Sequence, residues 1–181
     1  FDLPCIVADE QDGVRQVIDH LIAAGHTRIG MLAGRFSSYI TSVRYNAFLS
    51  AMQEHGLSAD RSGVVMCDRD VQSATAAATE LLLRPERPTA VFAFNDVLAS
   101  GVLKAASRLG LRVPHDVAVV GFDDSSACTL LEPELTSVHV DCRRMGEMCI
   151  EQITALLKGE ANVPRLSVVP VKLKPRASSA R

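Results

Sequence analysis

Two rhythms alternate along the chain. Short, nearly continuous apolar runs take turns with longer stretches in which apolar residues recur every third or fourth position. Continuous runs are the mark of strands covered on both faces, as in a parallel sheet. They fall at Cys5–Ala8, Arg28–Ala33, Val64–Cys67, Ala90–Phe94, Val117–Val120 and Leu135–Val140. The helical rhythm predicts helices over Gly13–Ala24, Val43–His55, Gln72–Leu83, Asp96–Leu109 and Arg143–Lys158. In the first, Val14, Val17, Ile18, Leu21 and Ile22 share one face. In the last, Cys149, Ile153, Leu156 and Leu157 are expected to be buried. Ser42 is the expected N-cap of the second helix. Gly25, Gly56, Gly110 and Gly159 stand where helices stop, as residues that accept a left-handed backbone. Gly34–Thr41 reads as a polar loop. Leu166–Leu173 alternates loosely and reads as edge strands broken at Pro170, and the Ser178–Arg181 tail as frayed. Strand and helix in strict alternation predict an α/β fold with a doubly wound, mostly parallel sheet.

Composition narrows the class. The 181 residues are 48% hydrophobic and 22% charged, enough for one good-sized core or two small lobes. A formal net charge of −2 and the lack of a basic cluster give no surface for polyanions. Cys5, Cys67, Cys128, Cys142 and Cys149 form an odd set without a CxxC pair, against a disulfide framework and a zinc site. They read as small core residues in a reducing compartment. No run is long enough to span a membrane, and the N-terminus is not a signal peptide. The chain opens on Phe1-Asp2-Leu3-Pro4 without a methionine, and is expected to be the back part of something longer.

The chemistry gathers after two strands. Ala90–Phe94 runs into Asn95-Asp96, and Val117–Val120 leads through Gly121-Phe122 to Asp123-Asp124. Ligands of open parallel sheets bind just beyond the carboxyl ends of the strands. No GxSxG elbow, no phosphate loop ending in Gly-Lys-Ser/Thr and no HxxxH pair accompanies them. A binding lobe without catalytic residues, metal or cofactor is therefore expected, not an enzyme. Arg44 offers a planar fork for carboxylates or vicinal hydroxyls; its plainer role is an ion pair. Asn95 can donate and accept at once, or cap the helix it precedes. Asp123 can accept from hydroxyls or an amine, or pair with Arg44. Asp96 and Asp124 read as supporting acids. Arg69, within Asp68-Arg69-Asp70, and Ser38 complete the candidate ligand-binding set.

Six blocks carry a further reading. They are Gly25-His26-Thr27-Arg28-Ile29-Gly30, Arg44-x-x-Ala47-Phe48, Pro88-Thr89-Ala90-Val91-Phe92-Ala93-Phe94-Asn95-Asp96, Gly110-Leu111-Arg112-Val113-Pro114-x-Asp116-Val117, Val120-Gly121-Phe122-Asp123-Asp124 and Pro133-x-Leu135-Thr136-Ser137-Val138. Together, in this order, they resemble the LacI/GalR family of bacterial transcriptional repressors over almost the whole chain. The resemblance implies a two-lobed, periplasmic-binding-protein-like sensor that closes on a small effector, most readily a sugar or sugar derivative. It implies a cytoplasmic homodimer that meets DNA only through an N-terminal helix-turn-helix absent here. It divides the chain into residues 1–24 as the end of a first lobe, 25–139 as the second lobe, 140–160 as a helix returning to the first, and 161–181 as closing strands of the second and a tail. One complete lobe plus part of another is the expectation. In the family the residue matching Arg44 contacts effector, and an aromatic often stands near the position of Arg69. Part of the dimer contact is expected in Ser125–Glu134. The alternative is a periplasmic solute-binding protein of the same fold.

Overall fold

The computed structural model describes residues 3–35, 38–58 and 63–180. Phe36 and Ser37 of the expected loop, residues 59–62, and residues 1, 2 and 181 at the ends lie outside the described residues. In chain order the elements are β1 (Cys5–Ala8), α1 (Glu10–Ala23), β2 (Ile29–Gly34), α2 (Tyr39–Glu54), β3 (Val64–Cys67), α3 (Val71–Leu82), β4 (Ala90–Ala93), α4 (Asp96–Arg108), β5 (Ala118–Asp123), β6 (Thr136–His139), α5 (Cys142–Leu157), β7 (Leu166–Val169) and β8 (Lys172–Lys174). A single 3-10 turn, Ser126–Thr129, follows β5.

Six strands form one sheet in the order β3-β2-β4-β5-β6-β8, parallel except for β8, which runs antiparallel on β6. Alternate residues of each strand point to opposite faces. Met31, Ala33, Phe92, Val120 and Phe122 face the inward stripes of α1 and α2 (Val14, Val17, Ile18, Leu21, Phe48, Met52). Leu32, Val91, Ala93 and Val119 face α3 and α4. The latter helices come close because Gly101 lacks a side chain: a Cβ there would lie 2.4 Å from the Cβ of Ala74. Both faces are thus covered, as the apolar runs require.

The remaining strands stand apart. β1 and β7 pair in parallel, Cys5 with Leu166 through Ala8 with Val169, as a separate two-stranded sheet. α5 packs beside β1, and none of its residues is buried. Ile153 and Leu156, expected inside, are half-exposed, and Leu157 is 84% exposed. The helix has an amphipathic stripe without a core to receive it.

Other expectations shift for local reasons. α2 starts at Tyr39 rather than Val43, because Ser38, extended at φ −126°, supplies the cap that Ser42 was expected to supply. Three cysteines expected in the core, Cys5, Cys142 and Cys149, are exposed, while Cys67 and Cys128 are buried. Of the tail expected to fray, Ser178 and Ser179 are docked, and Arg181 lies outside the described residues. Ser178 donates to the Val119 carbonyl (2.6 Å) and accepts from the Thr136 amide (2.9 Å), and the Val119 amide donates to the Ser178 carbonyl (2.9 Å). Ser178 and Ser179 are buried where they supply hydrogen bonds to β5 and the start of β6.

Candidate functional site

The chain leaves β2 toward β3 on one side and later crosses β2 to place β4 on its other side. The carboxyl ends of β2 and β4 therefore flank the switch point of the sheet, where a crevice opens in doubly wound folds. Arg44, Asp123 and Arg69 reach this end through one connected set of contacts, and Asn95 follows Phe94 of that set in sequence.

Arg44 is the hub. It sits in α2, 4% exposed. Its Nε donates to Glu10 Oε2 (2.6 Å), its Nη1 to the Phe94 carbonyl, and its Nη2 to Asp123 Oδ1 (3.3 Å). Its guanidinium lies 3.6 Å from the centre of the Phe122 ring and 4.7 Å from that of Phe94. A buried cation needs this degree of pairing. Arg69 reaches the same Phe94 ring, 4.7 Å from its centre, and donates from Nη2 to Thr41 Oγ1 (3.1 Å). The plainer readings both have substance: Arg44 is an ion-pair residue, and Asn95 is a cap. Asn95 Oδ1 accepts from the Leu98 amide (3.0 Å) at the start of α4, and its amide nitrogen has no partner among the described residues.

Each position of Gly121-Phe122-Asp123-Asp124 has its own reason. A Cβ on Gly121 would stand 2.4 Å from Asp96 Oδ1, so glycine makes room for that buried carboxylate. Phe122 is the floor beneath Arg44. Asp123, at φ +103°, and Asp124, at φ +51°, turn through the left-handed region, which costs non-glycine residues energy. The turn is held from every side. Asp96 accepts from the Ser125 amide (2.7 Å) and the Ser137 hydroxyl, and Ser137 Oγ accepts from the Asp124 amide (3.1 Å). Asp124 accepts from Arg176 Nη2 (2.6 Å) and meets His139 Nδ1 (3.0 Å). Asp123 is left 46% exposed in its side chain, with Arg44 as its ion-pair partner. Burial pushes its carboxyl above the ordinary range; Arg44 opposes this, and the Asp96 and Glu10 carboxylates add to it.

Ser38 is spent mainly as the α2 cap, its Oγ accepting from the Thr41 amide (3.4 Å). It also lines a cavity of about 230 Å³ with Arg35, Cys67, Asp68 and Arg69. Burial and the carboxylates of Asp70 and Asp68 push the Cys67 thiol there up to about 11, so it is no thiolate nucleophile near neutrality. Larger hollows, of about 450 Å³ beside α1 and α2 and about 710 Å³ at the amino end of β2, lie away from these strand ends. Among the described residues no His, Cys, Asp and Glu group could hold a metal ion. What the geometry offers is recognition: a carboxylate, an amide and guanidinium groups around aromatic rings.

Sequence reasoning missed Glu10, Phe94 and Phe122. Glu10 reads as an ordinary first-turn acid; only the packing of α1 against α2 brings it to Arg44.

Comparison with known proteins then places the chain. The periplasmic binding protein-like domain family matches residues 18–179. An HTH-type transcriptional repressor PurR of Photobacterium profundum is 30% identical over 179 residues, covering 91% of this chain and 54% of that protein. A regulatory protein of the LacI family from Chloroflexus aggregans superposes with a TM-score of 0.93 at 32% identity, over 99% of this chain and 65% of that one. A transcriptional regulator CelR–cellobiose complex superposes with a TM-score of 0.92 at 32% identity, over 98% of this chain and 54% of that one. The chain spans about half the length of the curated relatives it matches.

Proposed function

The chain belongs to the periplasmic binding protein-like domain family, as the effector-binding domain of a LacI-type regulator, and on that premise we propose that it binds a sugar or related small metabolite at the carboxyl ends of β2 to β5. One observation carries this: Arg44, Asn95 and Asp123 lie at the carboxyl ends of the strands beside the switch point, and Asp123 sits in a strained turn with its side chain 46% exposed. Asp123 accepts from ligand hydroxyls, the Asn95 amide nitrogen donates, and Arg44 fixes Asp123 more than it touches ligand. Ser38 and Arg69 border the same end.

The packing supports a division of lobes that differs from the one read in sequence. β1, α5 and β7 belong with a first lobe; α1 belongs with the second, because its apolar stripe lies on the six-stranded sheet. The effector bridges the two lobes. It shifts their closure only in so far as it binds open and closed forms with different affinity. In a cytoplasmic homodimer that closure alters how an N-terminal part meets operator DNA. Leu130, 83% exposed after the 3-10 turn, and Val97, 42% exposed at the start of α4, support the dimer contact expected near Ser125–Glu134. The relatives are regulators, not enzymes, and they speak against the periplasmic solute-binding alternative.

The test is a thermal-shift screen of the full-length protein against sugars, sugar acids, sugar phosphates and nucleobases. A ligand at about a hundredfold its Kd stabilises by about 2.7 kcal/mol. Asp123→Asn and Asn95→Ala should each abolish that stabilisation; a ligand that stabilises both variants as it does the wild type places the site elsewhere.

A further inference from the structure

Among the described residues, the arginines at the carboxyl end of the sheet are ion-paired with one exception. Arg44 is matched by Glu10 and Asp123, and Arg35 by Asp68, with Nη2 to Oδ2 at 3.0 Å. Arg69 lies between two acids in sequence, yet both are engaged elsewhere. Asp68 holds Arg35, and Asp70 caps α3 by accepting from the Ser73 amide at 2.8 Å. Arg69 makes no ion pair among the described residues. Its contacts are a hydroxyl, Thr41 Oγ1, and the face of Phe94. It is exposed, and it borders the cavity of about 230 Å³ with Ser38 and Cys67.

These contacts orient the group without neutralising it. Contact with the face of Phe94 and the bond to Thr41 limit how the guanidinium can turn. Among the described residues, Nη1 and Nε have no hydrogen-bond acceptor, and Nη2 keeps a second hydrogen beside the one given to Thr41. A planar fork held this way matches the two oxygens of a carboxylate or phosphate. Arg44 contacts the same ring and pairs with Asp123, an acceptor suited to hydroxyls.

We propose that the effector is a hydroxylated oxyanion, a sugar acid or a phosphorylated sugar, and that Arg69 is the residue that reads its negative group. This rests on the site proposed above and names its ligand class. Arg69 takes the charged end, while Asp123 and Asn95 take the hydroxylated end. Two oppositely charged readers at the ends of one site orient the ligand, and a neutral sugar leaves Arg69 without a partner.

The experiment is calorimetry on the full-length protein with matched probes: D-glucose, D-glucuronate and D-glucose 6-phosphate, and the same three forms of galactose. In wild type an anionic probe should bind at least about tenfold more tightly than its neutral counterpart, the size of a charge-assisted pair. The uronate and phosphate arms separate the two sources of the oxyanion. Arg69→Gln should remove that preference and leave neutral binding as it was. Its thermal midpoint without ligand should match the wild type, because the side chain is exposed. Equal binding of neutral and anionic probes overturns the proposal. So does an anionic preference that survives Arg69→Gln, or a loss that is equal for both probe types, which would mark Arg69 as a lobe-closing residue. Failure of the site itself reads differently: binding, with or without a charge preference, would then withstand Asp123→Asn.

Discussion

α4 and α5 begin from similar amphipathic patterns and end in opposite environments. α4 buries Leu98, Ala99, Val102, Ala105 and Ala106 between α3 and the six-stranded sheet. α5 buries none of its residues and leaves Ile150, Ile153, Leu156 and Leu157 open beside a two-stranded sheet. The difference teaches that a periodic apolar stripe specifies a helix and its inward face, but not which surface that face meets. Burial is a property of the partner surface, and among the described residues it is the β1–β7 sheet that lies beside α5.

The sharpest way to break that comparison is to truncate one apolar residue on each side. Phe92→Ala, in the centre of the large sheet and fully buried, should cost about 3–5 kcal/mol in urea unfolding. Leu157→Ala, 84% exposed, should change stability by less than about 0.5 kcal/mol. A comparable loss at both positions would mean that α5 is packed in solution as tightly as α4.

Arg44 sharpens the contrast from the polar side, because its charge is part of the large region's architecture. Arg44→Ala removes the partner of Glu10, whose side chain is 14% exposed, and should destabilise by about 3 kcal/mol, as loss of one member of a buried pair does. Asp123→Asn should cost well under 1 kcal/mol, since that side chain is 46% exposed. The same denaturation curves check both. A stability loss for Asp123→Asn as large as for Arg44→Ala would make Asp123 a structural acid rather than a ligand-facing one.

The division between what sequence told and what it hid follows these physics. The apolar runs located the strands and the glycines located the helix ends, because both signals are local. Asn95 and Asp123 were legible as candidates from their position after strands, and Arg44 from the block it opens. Glu10 was not, since its role comes from a contact between two helices. Nor was the order of the tail: Ser178 and Ser179 look like loose polar residues until β5 and β6 supply groups for their hydroxyls. The exposure of α5 was hidden for the converse reason, a strong local signal whose partner surface is not among the described residues. Gly101, too, reads as a weak point in a helix, and only packing shows that it admits Ala74. Gly101→Val should therefore destabilise by about 1–3 kcal/mol through overpacking, in the same unfolding assay. Gly146→Val, on α5 with open space around it, should show only the small effect of helix propensity, about 0.5 kcal/mol or less in either direction.

The smallest effect expected is a pH dependence, and it too separates the regions. His20, near the end of α1, meets Ser179 Oγ through Nε2 (2.8 Å), so it joins the docked tail to the large layer. Burial holds its imidazole below the ordinary value of 6.5, because desolvation disfavours the charged ring. The unfolded chain then binds a proton at a higher pH than the folded one. Stability is complete above about 6.5 and falls as pH drops through the lowered folded value. His20→Gln, which keeps a hydrogen-bonding group beside Ser179 but cannot titrate, should flatten the stability profile between pH 7 and 5. A slope that persists in His20→Gln would assign the pH dependence to another group and leave the tail's docking independent of His20.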